Sequence, residues 1–204
     1  MEGDVQKFDI HVNPGTSLEY LSQAYEKIHR MKEGMARRET KIVVEPEAFL
    51  KYAPLPTIPF RDSAFENHLE IELKEKTSRL LFQEILSCGR AACGEAFAYR
   101  LYHNHVAVRE EGNLIYLDNT RYDPEFFEMS GMGMYEGFTH FLNLVFFNIE
   151  KSESWISAVR ELLDETPDVE GGVTRIASGD AAVRILGRGA EPLLKISEKI
   201  QEMN

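Results

Sequence analysis

A single carboxylate, Glu84, lies inside an otherwise largely apolar stretch at positions 80–86. The stretch is typical of a β-strand, in which successive side chains alternate between the two faces of a sheet. Glu84 therefore shares a face with Leu80, Phe82 and Leu86. Because a carboxylate on a buried face is costly unless it is paired, hydrogen-bonded or bound to a cation, the spacing predicts a compensating group nearby.

Two kinds of partner for Glu84 are consistent with the residues that follow it. Arg90 and Arg100 lie shortly downstream, and either one would form an internal ion pair, the more conventional solution for a buried carboxylate. A bound cation is the alternative. Gly89 and Gly94 can adopt the positive φ that a tight corner often needs, so the segment 84–101 is expected to fold as strand, corner and strand.

A weak internal repeat places a second carboxylate in an equivalent position. Turn residues followed by Leu-x-aromatic recur at a spacing of roughly 30 residues, which favours stacked hairpin rungs. The leading residues are Leu18, Leu50, Leu80 and Leu114. The alternative is that this pattern is simply common among β-proteins. Glu84 and Asp118 each stand four positions past a leading leucine, so stacked rungs would bring them together, where they raise one another's pKa or recruit a cation.

Other residue types that bind metals occur at spacings that leave their roles open. His103 and His105 lie two residues apart in a turn-like stretch and form either a surface metal pair or a solvated pair. Cys88 and Cys93 can ligate a soft metal or pack as small residues at a corner. His140 is expected to be a histidine of the core.

The first 123 residues are predicted to form short strands separated by turns. The expected strands cover residues 5–12, 16–22, 39–45, 48–53, 65–73, 79–86, 95–101, 105–110 and 114–122. Prolines in the segment 53–60 predict an extended connector or edge. Strands at such regular spacing are typical of a sandwich, barrel or solenoid, and the repeat favours the solenoid.

The last third of the chain changes character. A methionine-rich loop is predicted at 126–137, followed by an apolar strand at 138–149. An amphipathic helix at 152–165 is expected to be capped by Ser152. Two strands at 173–177 and 181–186 and a closing helix from Pro192 complete a predicted single domain over 1–204.

The composition indicates an acidic globular protein. Hydrophobic residues make up 43% of the 204 residues, and 34 acidic against 23 basic residues give a net charge of −11. Such a surface repels phosphate backbones, which argues against nucleic acid and anionic membranes as partners. The longest apolar run, at 141–149, is too short to span a bilayer. With two cysteines and no signal-like start, a cytoplasmic location is expected.

A series of short motifs runs in order along the chain from about Glu2 to Met203. They are Glu2-Gly3-Asp4, Ser22-Gln23-Ala24 with Lys27-Ile28-His29, Tyr52 to Phe60, Glu84 to Arg90, Gly94-Glu95-x-Phe97, Asp118, Tyr135-x-Gly137-Phe138-x-His140 and Gly187 to Leu194. Each motif is weak by itself. Together and in this order they resemble the urease accessory family called UreD or UreH, the nickel-loading chaperone subunit.

The resemblance implies both a fold and a function. The fold would be mainly β, a helically wound two-layer array with two α-helices near the C-terminus. The function would be non-enzymatic: binding UreF, and through it the GTPase UreG, in a heteromeric complex dimerised through these subunits, and docking on apo-urease. Nickel would be conducted transiently rather than held. Family members carry acidic residues at the positions matching Asp4, Glu84 and Asp118, which makes these three the candidate channel lining.

The chain departs from the family pattern at its beginning. Family members usually have several strands before the Gly-Gly-Asp motif, whereas this sequence starts at the matching residues, so those N-terminal strands are expected to be lacking. A competing function, from a different class, is a solenoid-type glycan hydrolase or lyase that uses a carboxylate pair such as Glu84 and Glu95. No phosphate loop, activated nucleophile or dense metal motif accompanies that pair.

Overall fold

The computed structural model describes residues 2–176 and 178–203, and within them the chain forms fifteen strands, a short 3-10 turn and two α-helices. The strands are, in chain order, β1 (Val5–Val12), β2 (Ser17–Tyr20), β3 (Glu26–Ile28), β4 (Ala36–Val44), β5 (Phe49–Tyr52), β6 (Thr57–Pro59), β7 (Ala64–Leu73), β8 (Arg79–Ser87), β9 (Gly89–Arg90), β10 (Glu95–Ala96), β11 (Leu101–Glu110), β12 (Asn113–Tyr122), β13 (His140–Phe147), β14 (Val169–Arg175) and β15 (Ala181–Gly187). The helices are α1 (Glu153–Glu165) and α2 (Ala190–Glu202). The predicted mainly β fold with two helices is confirmed.

Two large sheets face each other, and the chain winds between them. The first sheet has the order β1-β4-β7-β11-β12, and the second has β14-β15-β13-β8-β5-β2, with β6 attached to β8 and β3 to β6. Successive turns of the chain place β1, β4 and β7 in the first sheet and β2, β5 and β8 in the second. Neighbours in each of these sets are parallel, as expected when each turn of the winding stacks on the one before.

The leucine repeat is correct for three of its four members. Leu18 pairs with Leu50, and Leu50 pairs with Leu80, across β2, β5 and β8. Leu114 does not continue this stack, because β12 turns back antiparallel to β11 and stays in the first sheet. Asp118 therefore cannot occupy the next rung above Glu84. It lies in the opposite layer.

Apolar side chains fill one half of the space between the sheets. Large buried residues such as Ile71 and Val106 from the first sheet meet Leu80, Phe82 and Val145 from the second. This burial supplies the main driving force for holding the layers together, at roughly 25 cal/mol for each Å² of apolar surface removed from water. The rest of the interlayer space, which we call the polar half, holds Glu84 and its polar partners. A smaller apolar cluster that includes Phe65, Leu86 and Tyr102 lies next to them.

The two helices cover the outer face of the second sheet. Ser152 caps α1, as predicted, by accepting a hydrogen bond from the Trp155 amide at 3.1 Å. Trp155 packs edge-on against Phe146 with ring centroids 5.2 Å apart. In α2, Ser197 donates to the buried Gln83 side chain on β8 at 2.5 Å. Neither helix is long and apolar enough to cross a bilayer, which holds for all residues that the structure describes.

The segment after β8 differs from the predicted arrangement of strand, corner and strand. Gly89 has φ of 122°, and a Cβ there would lie 2.3 Å from the Glu95 carbonyl oxygen, so only glycine fits. The predicted strand at 95–101 is wrong beyond Ala96, because Phe97 takes a left-handed conformation with φ of 52°. The next strand starts at Leu101.

Two further boundaries differ from the predictions. Strand β11 is continuous over Leu101–Glu110, so the turn expected around His103 is wrong. Parallel pairing with β7 along its whole length stabilises it. The predicted strand at 173–177 is β14, which starts earlier, at Val169. Position 177 lies outside the described residues.

Candidate functional site

Glu84 projects from β8 into the space between the two sheets. The amide of Asn104, on β11 of the first sheet, donates to both Glu84 oxygens at 3.0 and 3.1 Å. Asn104 is itself held by Asn67, its register partner on β7, whose amide donates to the Asn104 side-chain oxygen at 2.7 Å. The predicted inward orientation of Glu84 is therefore confirmed, and a neutral amide network spans the layers to reach it.

The expected ion pair of Glu84 with Arg90 or Arg100 is wrong. Arg90 instead forms a salt bridge with Glu95, whose Oε2 accepts from the guanidinium Nε at 2.8 Å. Arg100 donates to the carbonyl oxygens of Asp62 and Gly34. Both arginines follow the corner that ends β8, and that corner directs their side chains to backbone and surface acceptors.

Asp118 lies on β12 and is buried, and it is held by four neighbours. Thr120 donates to Oδ1 at 2.6 Å, and the Arg184 guanidinium donates to Oδ2 at 2.8 Å. The Tyr116 hydroxyl and the Asn143 amide approach Oδ2 at 3.4 and 3.5 Å. Arg184, on β15, is half-exposed, so Asp118 is joined to the surface through a single guanidinium.

Asn143 connects the two carboxylates. It is the cross-strand partner of Glu84 on β13 and also donates to Asp118 and to the Tyr116 hydroxyl. Its side-chain oxygen is buried and has no hydrogen-bond partner. An orphaned acceptor between two carboxylates is unusual, because buried polar atoms are normally paired.

The environment of Glu84 favours its neutral form. Burial, together with the nearby Asp118 charge, raises the pKa of Glu84 to about 8, against the hydrogen bonds from Asn104 and Asn143 and the charge of Arg184. Glu84 nevertheless keeps some exposed surface, because it lines cavities between the sheets. The two carboxylates predicted to interact therefore do so, although from opposite layers rather than from neighbouring rungs.

A row of cavities leads from the N-terminal end of the chain to Glu84. The first cavity is lined by Asp4 together with Glu26 and Phe65. The second shares Glu26 and Phe65 with the first and reaches Glu84. Asp4 is exposed and lies one cavity away from Glu84 and two cavities away from Asp118. Its backbone oxygen accepts a hydrogen bond from the Arg37 amide at 2.9 Å.

The row continues from Glu84 towards the opposite surface. A third cavity is lined by both Glu84 and Asp118. It shares Thr120 and Tyr122 with a fourth, wider cavity, at which Arg184 lies. The three candidates Asp4, Glu84 and Asp118 are thus arranged along one series of cavities. Glu84 and Asp118 share a cavity, whereas Asp4 stands apart.

Several residues of the site escape sequence reasoning, although one signal could have found them. Asn143 and Arg184 each interrupt an apolar strand, as Glu84 does. Asn104 shares one face of its strand with Tyr102 and Val106. A polar residue on the inner face of a strand requires a partner across the layers. Which strands face each other is a matter of topology, however, and that information is missing from local spacing.

The remaining metal-binding types do not assemble with the acidic pair. Cys88 is buried and Cys93 is exposed. Desolvation lowers the pKa of the half-buried His140 to about 4, consistent with the predicted core histidine. Across the described parts of the chain, no three His, Cys, Asp or Glu side chains are already gathered as a metal cage. The interior acids form an open pair with amide partners.

These features define a class of protein: a wound, two-layer β-structure with acidic groups along a series of internal cavities and helices on one outer face. The model of the family described as UreD urease accessory protein matches residues 1–203, and the chain belongs to that family.

Individual relatives agree with this assignment. The urease accessory protein UreH of Helicobacter pylori strain HPAG1 is 40% identical over 203 residues, which cover 100% of this chain and 75% of the relative. The UreD protein of Acetivibrio thermocellus is 36% identical over 203 residues, covering 100% of this chain and 77% of the relative. The UreD protein of Flavobacterium johnsoniae is 29% identical and covers 98% of this chain.

Proposed function

We propose that this urease accessory protein conducts Ni²⁺ to apo-urease along the row of cavities that contains Asp4, Glu84 and Asp118. The observation that carries the proposal is the pair Glu84 and Asp118, which line one cavity from opposite sheets. A protein interior accepts two carboxylates in one cavity when one of them is protonated or when a cation compensates them. Here the permanent compensation is a single arginine at the far side of Asp118.

The ligands suit a metal that must leave again. Ni²⁺ lies near the top of the affinity series for divalent ions, so a cage of thiolates and imidazoles would retain it. Conduction requires sites that are favourable enough to enter and weak enough to leave. The two carboxylates meet this requirement, because they are hard donors offered in small numbers in one cavity.

The raised pKa of Glu84 couples the movement of Ni²⁺ to the release and return of a proton. With its pKa raised to about 8, Glu84 is largely protonated at neutral pH. An entering Ni²⁺ must displace that proton, since a carboxylic acid is a poor ligand until it is ionised. When the ion moves on, the proton returns. The site therefore resets itself to a neutral state and does not trap the next cation.

The cavities near the acidic pair are small. Their volumes are about 40 Å³ beside Glu84 and about 20 Å³ between Glu84 and Asp118. One water needs roughly 10–15 Å³ on the same measure, so these spaces admit one to a few waters. A passing ion must shed part of its hydration shell here, and the side-chain oxygens replace the waters that it loses.

We further propose that the chain acts as a scaffold in the cytoplasm, binding UreF and through it UreG, in a complex dimerised through those subunits. The loop 124–139 is the proposed contact surface for UreF. It exposes Phe126, Phe127 and Met132, of which Met132 is 94% exposed. Exposed aromatic and methionine side chains are enriched at protein interfaces. The acidic surface argues for partners other than nucleic acid or membranes.

Reconstituted activation of urease tests the proposal. Apo-urease, UreF, UreG, GTP and Ni²⁺ are combined with the wild-type chain or with Glu84→Ala, Asp118→Ala and the double variant. The variants are expected to fold and to co-elute with UreF in size-exclusion chromatography. Urease activated with them is expected to contain less nickel than urease activated with the wild-type chain. Nickel loading by the double variant at the wild-type level would refute the passage. Glu95→Gln is the matched control, because Glu95 lines neither cavity that Glu84 lines.

The competing carboxylate-pair enzyme finds little geometric support. Glu84 projects between the sheets, whereas Glu95 is bound to Arg90 at the outer corner and does not line either cavity that Glu84 lines. A glycosidase needs both carboxyl groups to flank one bond in an open cleft. We therefore propose a non-enzymatic role. Polysaccharide turnover lost in Glu84→Gln would contradict it.

A further inference from the structure

The outer face of the first sheet carries a group of imidazoles that the proposed passage does not use. Asn67 and Asn104 point inwards to Glu84, so their neighbours in sequence point outwards, because side chains alternate along a strand. His105 is the register partner of His68, and His103 is the register partner of Glu66, across the parallel strands β11 and β7. The fold thereby gathers three of the six histidines of the chain on two adjacent strands.

The side chains of this group lie close together. The rings of His68 and His105 stack with centroids 5.2 Å apart, and the His103 ring lies 6.1 Å from that of His68. One oxygen of Glu66, Oε1, lies 3.2 Å from His103 Nδ1 and 3.7 Å from His68 Nε2. The other oxygen is held by Arg37 at 2.9 Å. We refer to His68, His103, His105 and Glu66 as the histidine patch.

These separations are close to those of ligands around one metal ion. Two donors bound to a tetrahedral ion at about 2.0–2.1 Å lie roughly 3.3–3.4 Å apart. Oε1 of Glu66 lies 3.7 Å from Nε2 of His68, slightly beyond that distance. Imidazole together with carboxylate suits late first-row divalent ions such as Ni²⁺ and Zn²⁺.

We propose that the histidine patch is a surface binding site for a late first-row divalent metal ion, with His68 and His105 as its principal ligands and Glu66 as the third. The site is distinct from the interior carboxylates, because Asn104 and His105 lie on opposite faces of the same strand. It would hold an ion at the protein surface, where solvent can exchange it.

Two of the ligands are available without breaking hydrogen bonds. His68 is half-exposed, and its Nε2 atom lies 3.7 Å from the nearest Glu66 oxygen, beyond hydrogen-bond distance. The Nδ1 atom of His105 is enclosed and has no hydrogen-bond partner, an orphaned group that a metal would satisfy. In contrast, both nitrogens of His103 are occupied, by Glu66 and by Asn119 at 2.8 Å.

His103 therefore has a supporting role. Its ring lies between Glu66 and Asn119, which fixes the position of the Glu66 oxygen that faces His68. Outer groups of this kind orient the ligands that touch a metal, and their removal commonly costs about 10- to 100-fold in affinity. Because the donors are not yet gathered as a cage and Arg37 is close by, the site is expected to be weak and readily reversible.

Equilibrium dialysis and calorimetry with the purified chain test the site, using NiCl₂ and, separately, ZnCl₂. The wild-type chain is expected to bind one ion that the double variant His68→Gln/His105→Gln does not bind. Glu66→Gln is expected to weaken that binding by about tenfold. The matched control is His11→Gln/His29→Gln, which removes two exposed histidines elsewhere and should leave the binding unchanged.

A second readout identifies the ligands directly. Titration with Zn²⁺, a diamagnetic ion, should shift the ring resonances of His68 and His105 in NMR spectra but not that of His11. The proposal is overturned if the wild-type chain binds no ion, if the double variant binds as the wild type does, or if the control variant loses the ion as well.

The interior carboxylates provide the remaining control. Glu84→Gln/Asp118→Asn should retain the ion at the histidine patch. If this variant loses the ion whereas His68→Gln/His105→Gln keeps it, the metal is bound in the passage; the surface site is then refuted and the proposed function is not. If the ion is lost only in the histidine variant and urease activation is normal in Glu84→Gln/Asp118→Asn, the proposed function fails and the surface site stands.

Discussion

The space between the two sheets has an apolar half and a polar half, built from the same strands. On β8, Leu80 and Phe82 are fully buried among apolar neighbours, whereas Glu84, two residues further along the same face, meets Asn104. The apolar half is closely filled, and the polar half contains cavities. The difference indicates that the apolar half stabilises the fold. The polar half contains a desolvated carboxylate, which lowers stability when it is ionised.

The largest effect expected from this comparison is in the apolar half. Phe82→Ala removes a fully buried ring that stacks on Tyr52 at a centroid distance of 6.0 Å. Loss of its transfer free energy, together with the cavity left behind, should lower the free energy of unfolding by about 3–5 kcal/mol. Urea denaturation measures the change. A loss below about 1 kcal/mol would mean that this half is not the stabilising one.

The next effect is a pH dependence confined to the polar half. Because the pKa of Glu84 is raised from 4.5 to about 8, the folded state holds a proton that the unfolded state releases in this range. Its contribution to stability is complete below about pH 4.5 and is lost as the pH rises through about 8. At about 1.4 kcal/mol per pH unit, it falls by about 2–3 kcal/mol between pH 5 and pH 7.

Glu84→Gln tests that dependence, because glutamine cannot titrate. Urea denaturation of the variant and the wild type is compared at several pH values. The difference in the free energy of unfolding should grow in favour of the variant as the pH rises. A constant difference would mean that Glu84 titrates normally and that the polar half does not desolvate it.

A smaller effect is expected at the outer end of the polar half. Arg184→Gln removes the cation beside Asp118 but leaves the hydrogen bond from Thr120 at 2.6 Å. We expect stability to fall by about 1–2 kcal/mol, since Asp118 is buried while its arginine partner is half-exposed. The pKa of Glu84 should rise further, because the charge of Arg184 lowers it in the wild type. NMR titration of the Glu84 carboxyl carbon measures that shift, and an unchanged value would contradict the coupling.

The smallest effect is expected outside the sheets. Glu95→Gln weakens the salt bridge with the half-exposed Arg90, and the glutamine amide can keep one of its hydrogen bonds, so the loss is expected to be small. The variant should keep the stability of the wild type and its fall between pH 5 and pH 7. If Glu95→Gln abolished that fall, the pH dependence could not be assigned to Glu84.

The winding of the chain was predictable because it depends on short-range pattern. Turn residues, alternating side chains and the spacing of Leu18, Leu50 and Leu80 set the register of β2, β5 and β8. The pattern failed at Leu114. Strand β12 follows a tight Glu111-Gly112 turn, where both residues have positive φ, and that turn returns the chain to the first sheet.

The closeness of Glu84 and Asp118 was predicted correctly, but from a wrong arrangement of the strands. Glu84 and Asp118 were expected to meet as neighbouring rungs but meet across the layers, with Asn143 between them. The pairing of Arg184 with Asp118 was beyond local reasoning, because the two residues are 66 positions apart and are brought together only by the order of strands in two sheets. Two members of the histidine patch, His103 and His105, were identified from the sequence as a possible metal pair. His68, from another strand, was not.

Glu84 has a neighbour, Gln83, that faces the other way. Gln83 is buried beneath α2, where Ser197 and Gln201 both donate to its side-chain oxygen. A shift of α2 along the sheet would have to break these bonds or move β8 with it, and with β8 the carboxylate on the opposite side. A protein that binds α2 and shifts it would therefore also move Glu84 and change the cavities that it lines, without contacting them.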